Sequence, residues 1–404
     1  MSPRFLFYAT TILGIGHYRR VVNIVRELEA RAPGCRITIL YDALYGDQPW
    51  AAFHQSERRA VKLSWMLKYA PPAAGPVDWA GYSARVMDQG SYAEVHRERL
   101  ETIRQALDGQ RHDVAVLEYY PFGMGHRRQE VDFLLSQIQE QSPETPVVCS
   151  TREISGNSTQ KLDAPDVRRF VESFIERSIA AVHVHGDPSV FTLGDYYGDT
   201  SKFAEKIRYT GFVARRLERS SSCPAGPPRI VCSVGGGQDG AWVMDQFLEA
   251  WSLLVANGAL SDEAEAFLFP GQLMPGGALQ QVRDKHAKAF ASHRYRISLK
   301  PPDQYVRIVA DCHASVSMCG YNTCYELLRA GVPSVFVPRA VKGIREQVIR
   351  AEKLRDRGWA WMASSAPEIA EAIQEAVNHP GGLPPPLDFS GAATTAKNLL
   401  SLAH

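Results

Sequence analysis

The sequence predicts an α/β protein built from two doubly wound domains in tandem. Residues 5–9 form an apolar run that leads through a Gly-x-Gly turn into an amphipathic helix and then into a strand at 36–41. The same order of strand, glycine loop and helix returns at 230–255. Apolar strands alternate with helical patterns along most of the chain, which is typical of parallel sheets covered by helices on both faces.

The length of the chain also indicates two domains. A single hydrophobic core stops growing at about 250–300 residues, and this chain has 404. Residues 215–228 are rich in Arg, Ser, Pro and Gly and have no helical or strand period, which is typical of a linker. The predicted domains are therefore 1–214 and 229–387, with a C-terminal helix within 388–404 that packs back on the first. We expect a ligand cleft between the two domains.

The composition favours a small-molecule partner. The chain is 45% hydrophobic and 22% charged with a formal net charge of +1, so nothing indicates nucleic acid as a partner. The seven cysteines form no CxxC pair and no His/Cys metal spacing, so we expect neither a zinc site nor a disulfide framework. No apolar run approaches the roughly 20 residues that span a bilayer, so we expect a cytoplasmic protein without a transmembrane segment. The oligomeric state stays open.

A candidate phosphate site lies within residues 314–338. The pattern predicts a buried strand, a glycine turn at Gly320, a helix that begins near Asn322 or Thr323, and a second apolar strand. The first amides of a helix lack intrahelical acceptors and carry the positive end of its dipole, so they bind anions. Glu326 lies one turn inside that helix, where its carboxylate could accept hydrogen bonds from a diol. Phosphate and diol together point to a nucleotide.

A second group of candidates lies in the first domain. His17 follows Gly16 where the first helix begins, and Glu118 ends a buried strand and precedes Tyr119 and Tyr120. Ligands of open α/β sheets bind outside the carboxyl ends of the strands, so these residues are predicted to share one crevice. Plainer interpretations exist: His17 could cap a turn, and Glu118 could be an ordinary polar residue. The two tyrosines could line an acceptor site or only cover the sheet.

Two sets of short motifs are found in the chain. The C-terminal motifs are Gly320-Tyr321-Asn322-Thr323, Glu326-Leu327-Leu328, Gly331-Val332-Pro333, Val337-Pro338 and Glu346-Gln347, and the N-terminal ones lie at 14–20, 118–123 and 150–153. The C-terminal motifs resemble the donor half of GT-B glycosyltransferases, in the subgroup that contains the peptidoglycan N-acetylglucosaminyltransferase. The N-terminal motifs look like a bacterial group of predicted glycosyltransferases of that kind, while residues 45–110 match no pattern.

The resemblance implies two Rossmann-like domains that face each other across a cleft, with the acceptor on the first and the nucleotide-sugar donor on the second. Glu326 would bind the ribose hydroxyls, and Glu346 and Gln347 would hold the donor sugar. The diphosphate would rest on the amides of Gly320, Tyr321, Asn322 and Thr323 and would face the loop of Gly235, Gly236, Gly237 and Gln238, although that loop could be only a tight connection. Asp239 departs from the family pattern, so we expect it to point away from the diphosphate or to serve another role.

The implied reaction is an inverting sugar transfer with UDP or GDP as the expected donor nucleotide. His17 is the candidate base, since an imidazole accepts protons near neutral pH, and Glu118 would orient it. The chain contains no Asp-x-Asp, so we expect neither a metal nor a cofactor besides the nucleotide-sugar co-substrate. The helix dipole contributes only about 0.3–2 kcal/mol, so Arg339, Lys342 or Arg345 would assist the leaving diphosphate.

Two other functions fit the same residues. One is a nucleotide-sugar hydrolase or 2-epimerase on the same frame, since the Gly-x-Gly-His-Tyr-x-Arg turn also resembles a sugar-nucleotide hydrolase. The other is a nucleotide-sugar binding protein without catalysis. The sequence leaves the acceptor open between a small molecule and a glycan, and it does not identify the sugar or the linkage.

Overall fold

The structure is a computed structural model whose chain divides into two compact units. Of the described residues, the first unit contains those up to Val213 and those from Asp388 onward, and the second contains those from Ala214 to Leu387. Within the described residues, no helix is both long and apolar enough to cross a lipid bilayer. The structure describes residues 2–10, 16–42, 58–64, 91–154, 164–219, 226–237, 239–272, 274–291, 296–339, 345–378 and 385–403.

The first unit contains a parallel sheet of seven strands in the order β3-β2-β1-β4-β5-β6-β7. Every pair of neighbouring strands is parallel, and the strand order changes direction between β1 and β4. Most residues of the central strands are buried, as expected for a sheet with helices on both faces. The strands are β1 Arg4–Ala9, β2 Arg36–Tyr41, β3 Arg58–Lys62, β4 Val114–Glu118, β5 Val147–Arg152, β6 Ala181–His185 and β7 Ile207–Tyr209.

The helices of the first unit pack on this sheet through apolar stripes. In the first helix, Val21, Ile24, Val25 and Leu28 are buried, which is the spacing of one helix face. The helices are α1 Gly16–Arg31, α2 Ser91–Leu107, α3 Arg128–Gln141, α4 Pro165–Ser178 and α5 Gly194–Tyr197, with short 3-10 helices at Gly125–Arg127 and Ser201–Lys206.

The second unit repeats the same plan with a parallel sheet of six strands in the order β10-β9-β8-β11-β12-β13. Here the order changes direction between β8 and β11, and such switch points are where open α/β sheets bind their ligands. The strands are β8 Arg229–Ser233, β9 Glu265–Phe269, β10 Arg296–Leu299, β11 Ala314–Ser317, β12 Ser334–Phe336 and β13 Trp361–Met362. The helices are α6 Ala241–Ala256, α7 Gly276–Lys285, α8 Ala287–Phe290, α9 Tyr305–Ala310, α10 Tyr321–Arg329, α11 Glu346–Arg355 and α12 Ala366–Asn378, with a 3-10 helix at Pro302–Gln304.

The last helix, α13 (Gly391–Leu402), returns to the first unit and packs against α1. Its entry is fixed by two backbone hydrogen bonds, from the Phe212 amide to the Asp388 carbonyl at 2.7 Å and from the Gly391 amide to the Phe212 carbonyl at 3.2 Å. Gly211 adopts a φ of +83°, and a Cβ there would lie 2.5 Å from the Asp388 carboxyl group. Only glycine fits at this contact.

The start of the predicted linker is anchored on the second unit. Arg215 forms an ion pair with Glu326, and Arg219 donates hydrogen bonds to the carbonyls of Gly331 and Cys312. Residues 220–225 of the predicted linker lie outside the described residues.

Several elements differ in detail from the sequence prediction. The helix predicted near 279–290 is divided at His286 into α7 and α8. The helix predicted from Asn322 or Thr323 begins at Tyr321. The strands β3, β7 and β13 were not predicted, because short strands at a sheet edge bury too few side chains to leave a clear period.

Candidate active site

His17 and Glu118 lie in contact in the first unit. His17 is in the first turn of α1, and Glu118 is the last residue of β4, which pairs directly with β1. The imidazole Nδ1 lies 3.0 Å from the Glu118 Oε1, and the carboxylate is buried while 13% of the histidine side chain is exposed. A carboxylate only accepts hydrogen bonds, so a neutral imidazole that bonds to Glu118 carries its proton on Nδ1 and its lone pair on Nε2.

Arg20 completes this group. It lies three residues after His17 on the same face of α1, and its buried guanidinium binds the same Oε1 of Glu118. Its Nη2 also lies 3.2 Å from the His17 Nδ1. Burial, together with the charges of Arg20 and Arg152, holds the pKa of His17 well below its ordinary value of 6.5. These surroundings favour the neutral form of the imidazole.

The other predicted residues of the first unit take different positions. Gly16 begins α1, whereas Gly14 lies outside the described residues. The ring of Tyr119 lies 5.2 Å from the His17 ring, and the Arg152 guanidinium lies 5.1 Å from the Tyr119 ring centre. Tyr120 does not join this group, because it is fully buried in the core, 5.0 Å from the ring of Phe174.

A hydrogen-bond chain continues from Glu118 into the sheet. Its other carboxylate oxygen, Oε2, accepts a hydrogen bond from the Ser150 hydroxyl at 2.6 Å. The same hydroxyl lies 2.8 Å from the His185 Nε2, and the His185 Nδ1 lies 2.8 Å from the Thr210 Oγ1. These side chains come from the ends of β5 and β6 and from the residue after β7.

A buried ionic cluster lies at the carboxyl edge of the same sheet. Arg99 of α2 donates to Asp42 at 3.0 Å and makes two bonds to Glu130 of 2.6 and 2.7 Å, and Arg127 binds Asp42 at 2.6 Å. Tyr8 donates its hydroxyl proton to Glu130 at 2.5 Å. Burial alone would raise the pKa of Glu130, but Arg127 and Arg99 lower it to about 2. The charges of the two carboxylates and the two guanidinium groups neutralise each other, and their hydrogen bonds attach α2 and α3 to the carboxyl edge of the sheet.

The predicted phosphate site forms the start of α10 in the second unit. Gly320 is the N-cap residue, and it follows Cys319, which has a φ of +60°. The helix begins with Tyr321, Asn322 and Thr323, whose amides belong to the first turn, where no intrahelical acceptor exists. Glu326 is buried on the same helix.

The Glu326 carboxylate accepts a hydrogen bond from Arg215 through Oε2 at 3.1 Å. The Arg215 side chain is 35% exposed, whereas that of Glu326 is 4% exposed. A carboxylate has about four acceptor positions, so this ion pair leaves capacity for hydroxyl donors on the same group.

Arg350 connects the start of α11 with the loop before α10. This arginine is fully buried and donates to the Cys319 carbonyl and to the Glu346 Oε1, both at 2.7 Å. Its guanidinium lies 5.8 Å from the ring centres of both Tyr321 and Tyr325. The neighbouring Gln347 side chain accepts a hydrogen bond from the Arg339 backbone amide at 2.9 Å. Both predicted sugar-binding residues, Glu346 and Gln347, are therefore positioned by hydrogen bonds from other residues of the same unit.

The local backbone conformation explains the glycines in the loop after β8. Gly235 and Gly237 adopt φ values of +60° and +94°, and a Cβ on Gly237 would lie 2.1 Å from the Pro270 carbonyl oxygen. Gly236 lies between them, and Gln238 falls outside the described residues. The close approach of two backbones therefore requires glycine at 237.

The predicted phosphate-binding cations differ in their surroundings. Arg339 forms an ion pair with Asp239 at 2.6 Å, so the acidic residue that departs from the family pattern has a cationic partner. Arg345 is exposed and lies 4.0 Å from Glu352, and Lys342 lies outside the described residues. Within the described ranges, no three His, Cys, Asp or Glu side chains lie close enough together to hold a metal ion.

Solved structures match the chain over its whole length. No protein-family model matches it, and no curated protein matches its sequence. CalG4, the calicheamicin glycosyltransferase, matches with a TM-score of 0.56 at 15% identity over 100% of this chain and 96% of its own. The chain has the GT-B fold. MurG of Acinetobacter baumannii matches with a TM-score of 0.53 at 14% identity, over 99% of this chain and 100% of its own. SnogD from Streptomyces nogalater matches with a TM-score of 0.53 at 17% identity over 100% of both chains.

These matches confirm the fold class predicted from the sequence. Arg20 and Ser150 lie within the motif runs at 14–20 and 150–153, but the sequence assigned no role to either. Two signals of position were present: Arg20 has the spacing that places it beside His17 on a helix, and His185 follows His183 by two residues, which is the period of one strand face. The contacts of Ser150, Arg215 and Arg350 could not be read from local spacing, because their partners are distant in sequence.

Proposed function

We propose that the protein is an inverting, metal-independent glycosyltransferase that moves a sugar from a nucleotide-diphosphate sugar to a small-molecule or glycan acceptor. The observation that supports this most is the contact between His17 and Glu118 at the carboxyl edge of a GT-B sheet. A neutral imidazole whose Nδ1–H is held by a carboxylate has its Nε2 lone pair ready to accept a proton.

In the proposed reaction, the Nε2 of His17 removes the proton of the acceptor nucleophile. The nucleophile forms a bond to the anomeric carbon from the side opposite the diphosphate, and the bond between that carbon and the phosphate oxygen breaks. The configuration of the anomeric carbon is inverted, and the electron pair leaves with the nucleoside diphosphate. Glu118 stabilises the imidazolium that forms, since it accepts a hydrogen bond from Nδ1–H throughout and keeps its negative charge.

The leaving diphosphate is proposed to rest at the start of α10. The amides of Gly320, Tyr321, Asn322 and Thr323 and the positive end of the helix dipole would neutralise it. Glu326 would accept the ribose hydroxyls, and Glu346 and Gln347 would bind the donor sugar. In this proposal no metal and no cofactor take part besides the co-substrate.

The donor is identified by a thermal-shift screen with UDP-, GDP-, TDP- and ADP-sugars. A ligand at about 100 times its dissociation constant stabilises the folded state by about 2.7 kcal/mol, so the matching donor raises the melting temperature. Failure of all four classes to do so would contradict the proposed donor class.

The reaction is tested by measuring the release of nucleoside diphosphate with and without acceptor candidates, in the presence of EDTA. We expect release that requires an acceptor and persists with EDTA. His17→Ala should lower kcat by about 10²–10⁴ while the donor still raises the melting temperature. His112→Ala is the control, since His112 lies before β4, at the other end of the strand from Glu118. Release without acceptor would indicate a hydrolase instead, and donor binding without any turnover would indicate a binding protein.

A further inference from the structure

Four buried polar side chains form a continuous hydrogen-bond chain that ends on the Glu118 carboxylate. Its links are Thr210 to His185 at 2.8 Å, His185 to Ser150 at 2.8 Å, and Ser150 to Glu118 at 2.6 Å. All four residues are at most 2% exposed. Solvent does not reach these side chains to replace a lost hydrogen bond, so removing one link leaves a buried polar group without its partner.

The parallel sheet brings these residues together. Ser150 of β5 is the register partner of Glu118 in β4, and it is also the partner of His183 in β6. His185 lies two residues beyond His183 and therefore points to the same face of the sheet. Thr210 follows β7, the next strand. The chain thus crosses four neighbouring strands at their carboxyl ends.

The number of hydrogen atoms on each side chain determines which group donates and which accepts in each hydrogen bond. The Ser150 hydroxyl has one hydrogen and donates it to the anionic Oε2 of Glu118. His185 must then donate from Nε2 to the Ser150 oxygen, and its bare Nδ1 accepts the Thr210 hydroxyl. Burial, together with Arg20 and His183, holds the pKa of His185 well below its ordinary value, in keeping with a neutral ring that accepts at one nitrogen and donates at the other.

We propose that His185 is a positioning residue for the His17–Glu118 pair and acts on it through Ser150. The chain occupies Oε2 of the carboxylate, so the carboxylate cannot rotate and Oε1 stays directed at His17 and Arg20. The inference rests on the proposed function, because it concerns the base of that reaction. The role is not assigned by the GT-B matches, and it explains why a histidine and a serine are buried beside a carboxylate.

The kinetic test uses Ser150→Ala and His185→Leu. Each should lower kcat by about tenfold to hundredfold, the effect of one hydrogen bond to a charged group, with the donor KM changed by less than about twofold. His185→Gln should recover part of the loss, because its amide can donate from near the Nε2 position. If Gln is no better than Leu, or if kcat is unchanged, the proposed role of His185 is wrong.

A double-mutant cycle separates positioning from general damage to the core. In a Glu118→Ala background, the substitutions at 150 and 185 should have much less further effect, because the hydrogen-bond path from Ser150 through Glu118 to His17 has been removed. An equal loss of activity in both backgrounds would overturn the inference. Since the wild type must transfer sugar for this cycle to be measured, the cycle tests the inference after the proposed function has been established.

A second measurement does not depend on activity. In ¹⁵N-histidine NMR spectra of the full chain, His185 should carry its proton on Nε2, and Ser150→Ala should shift the Nδ1–H signal of His17. Thr210→Val, which keeps the side-chain shape, should alter the His185 signals. Thr395→Val is the matched control. Thr395 is equally buried, but it lies in α13 and is not part of the hydrogen-bond chain from Thr210 to Glu118. A proton on His185 Nδ1, or an unchanged His17 signal in Ser150→Ala, would overturn the inference even if the enzyme is fully active.

Discussion

The guanidinium of Arg20 is buried against the Glu118 carboxylate, on the same oxygen that contacts His17. The carboxylate alone would favour a protonated imidazole, and the neighbouring cation opposes this. Arg20 therefore allows Glu118 to hold the imidazole in place without turning it into an imidazolium at rest. A base that stays neutral is available over a wider range of pH.

Removing the charge of Arg20 should shift the pH dependence of the proposed reaction. In Arg20→Gln, the imidazolium of His17 loses a repelling cation and faces Glu118 directly, so the pKa of His17 should rise and the acidic limb of kcat/KM should move to higher pH. Arg152, the other cation near His17, remains. The measurement is the pH profile of kcat/KM. Arg20→Lys, which keeps the charge, and Arg19→Gln, which removes an exposed neighbour, should leave the limb in place; a limb that does not move in Arg20→Gln contradicts the argument.

Glu326 should determine the preference for ribose. In Glu326→Ala, the affinity for the donor's nucleoside diphosphate should fall by about tenfold or more, since each hydrogen bond to a carboxylate is worth about 1.5–3 kcal/mol. The analogue that lacks both ribose hydroxyls should bind wild type and variant alike. Calorimetric titration with both ligands checks this, with the exposed Glu371→Ala on α12 as control. Equal losses for both ligands would show that Glu326 does not contact the diol.

Arg350 should support donor binding from within the fold. In Arg350→Met, the Cys319 carbonyl and the Glu346 carboxylate lose their buried donor, so the loop before α10 and the start of α11 are no longer tied together. We expect the donor KM to rise by about tenfold and the free energy of unfolding to fall by about 1–3 kcal/mol. Arg350→Lys should recover little, because an ammonium group does not reproduce the planar fork.

Donor kinetics and chemical denaturation check the role of Arg350. The exposed Arg307→Met on α9 is the control and should change neither quantity. A donor KM that is unchanged in Arg350→Met would place this arginine outside the donor site and leave it a purely stabilising role.

The folded state should lose stability as the pH falls below about 6.5. Five buried or partly buried histidines have pKa values lowered chiefly by burial: to about 4 for His112 and His183, to about 3 for His126, and well below 6.5 for His17 and His185. A lowered folded-state pKa means that the unfolded chain takes up protons first as the pH falls. Stability is therefore fully present above about pH 6.5 and is lost below it.

Chemical denaturation at about pH 7.5 and 5.5 measures this effect. Each histidine should contribute a loss of about 1 kcal/mol between these values. His112→Gln removes one titrating ring far from the candidate base and should reduce the difference by that amount. Equal stability at both values would mean that these rings are already protonated in the folded state.

Much of the site could be predicted because its parts are local. A glycine turn before a helix, as at Gly320, predicts a phosphate site from a few neighbouring residues, and the structure places the start of α10 there. The side chains that hold the predicted residues could not be found in this way. Arg350 lies 31 residues from Cys319, and Arg215 lies 111 residues from Glu326. Tyr120 shows the reverse case, since its neighbour Tyr119 meets His17 while Tyr120 enters the core.

The fold class and the sheet edge at which the candidates lie could both be predicted from the order of residues alone. This follows because alternating apolar strands and amphipathic helices form parallel sheets, and the ends of parallel strands collect at one edge. Only the tertiary structure shows that His17, Arg20 and Glu118 are in contact. It also shows that Ser150 and His185 extend this contact by hydrogen bonds to the other oxygen of Glu118. Those contacts depend on the strand order that sets β4 beside β1 and β5 beside β4, and such pairing is fixed by long-range packing.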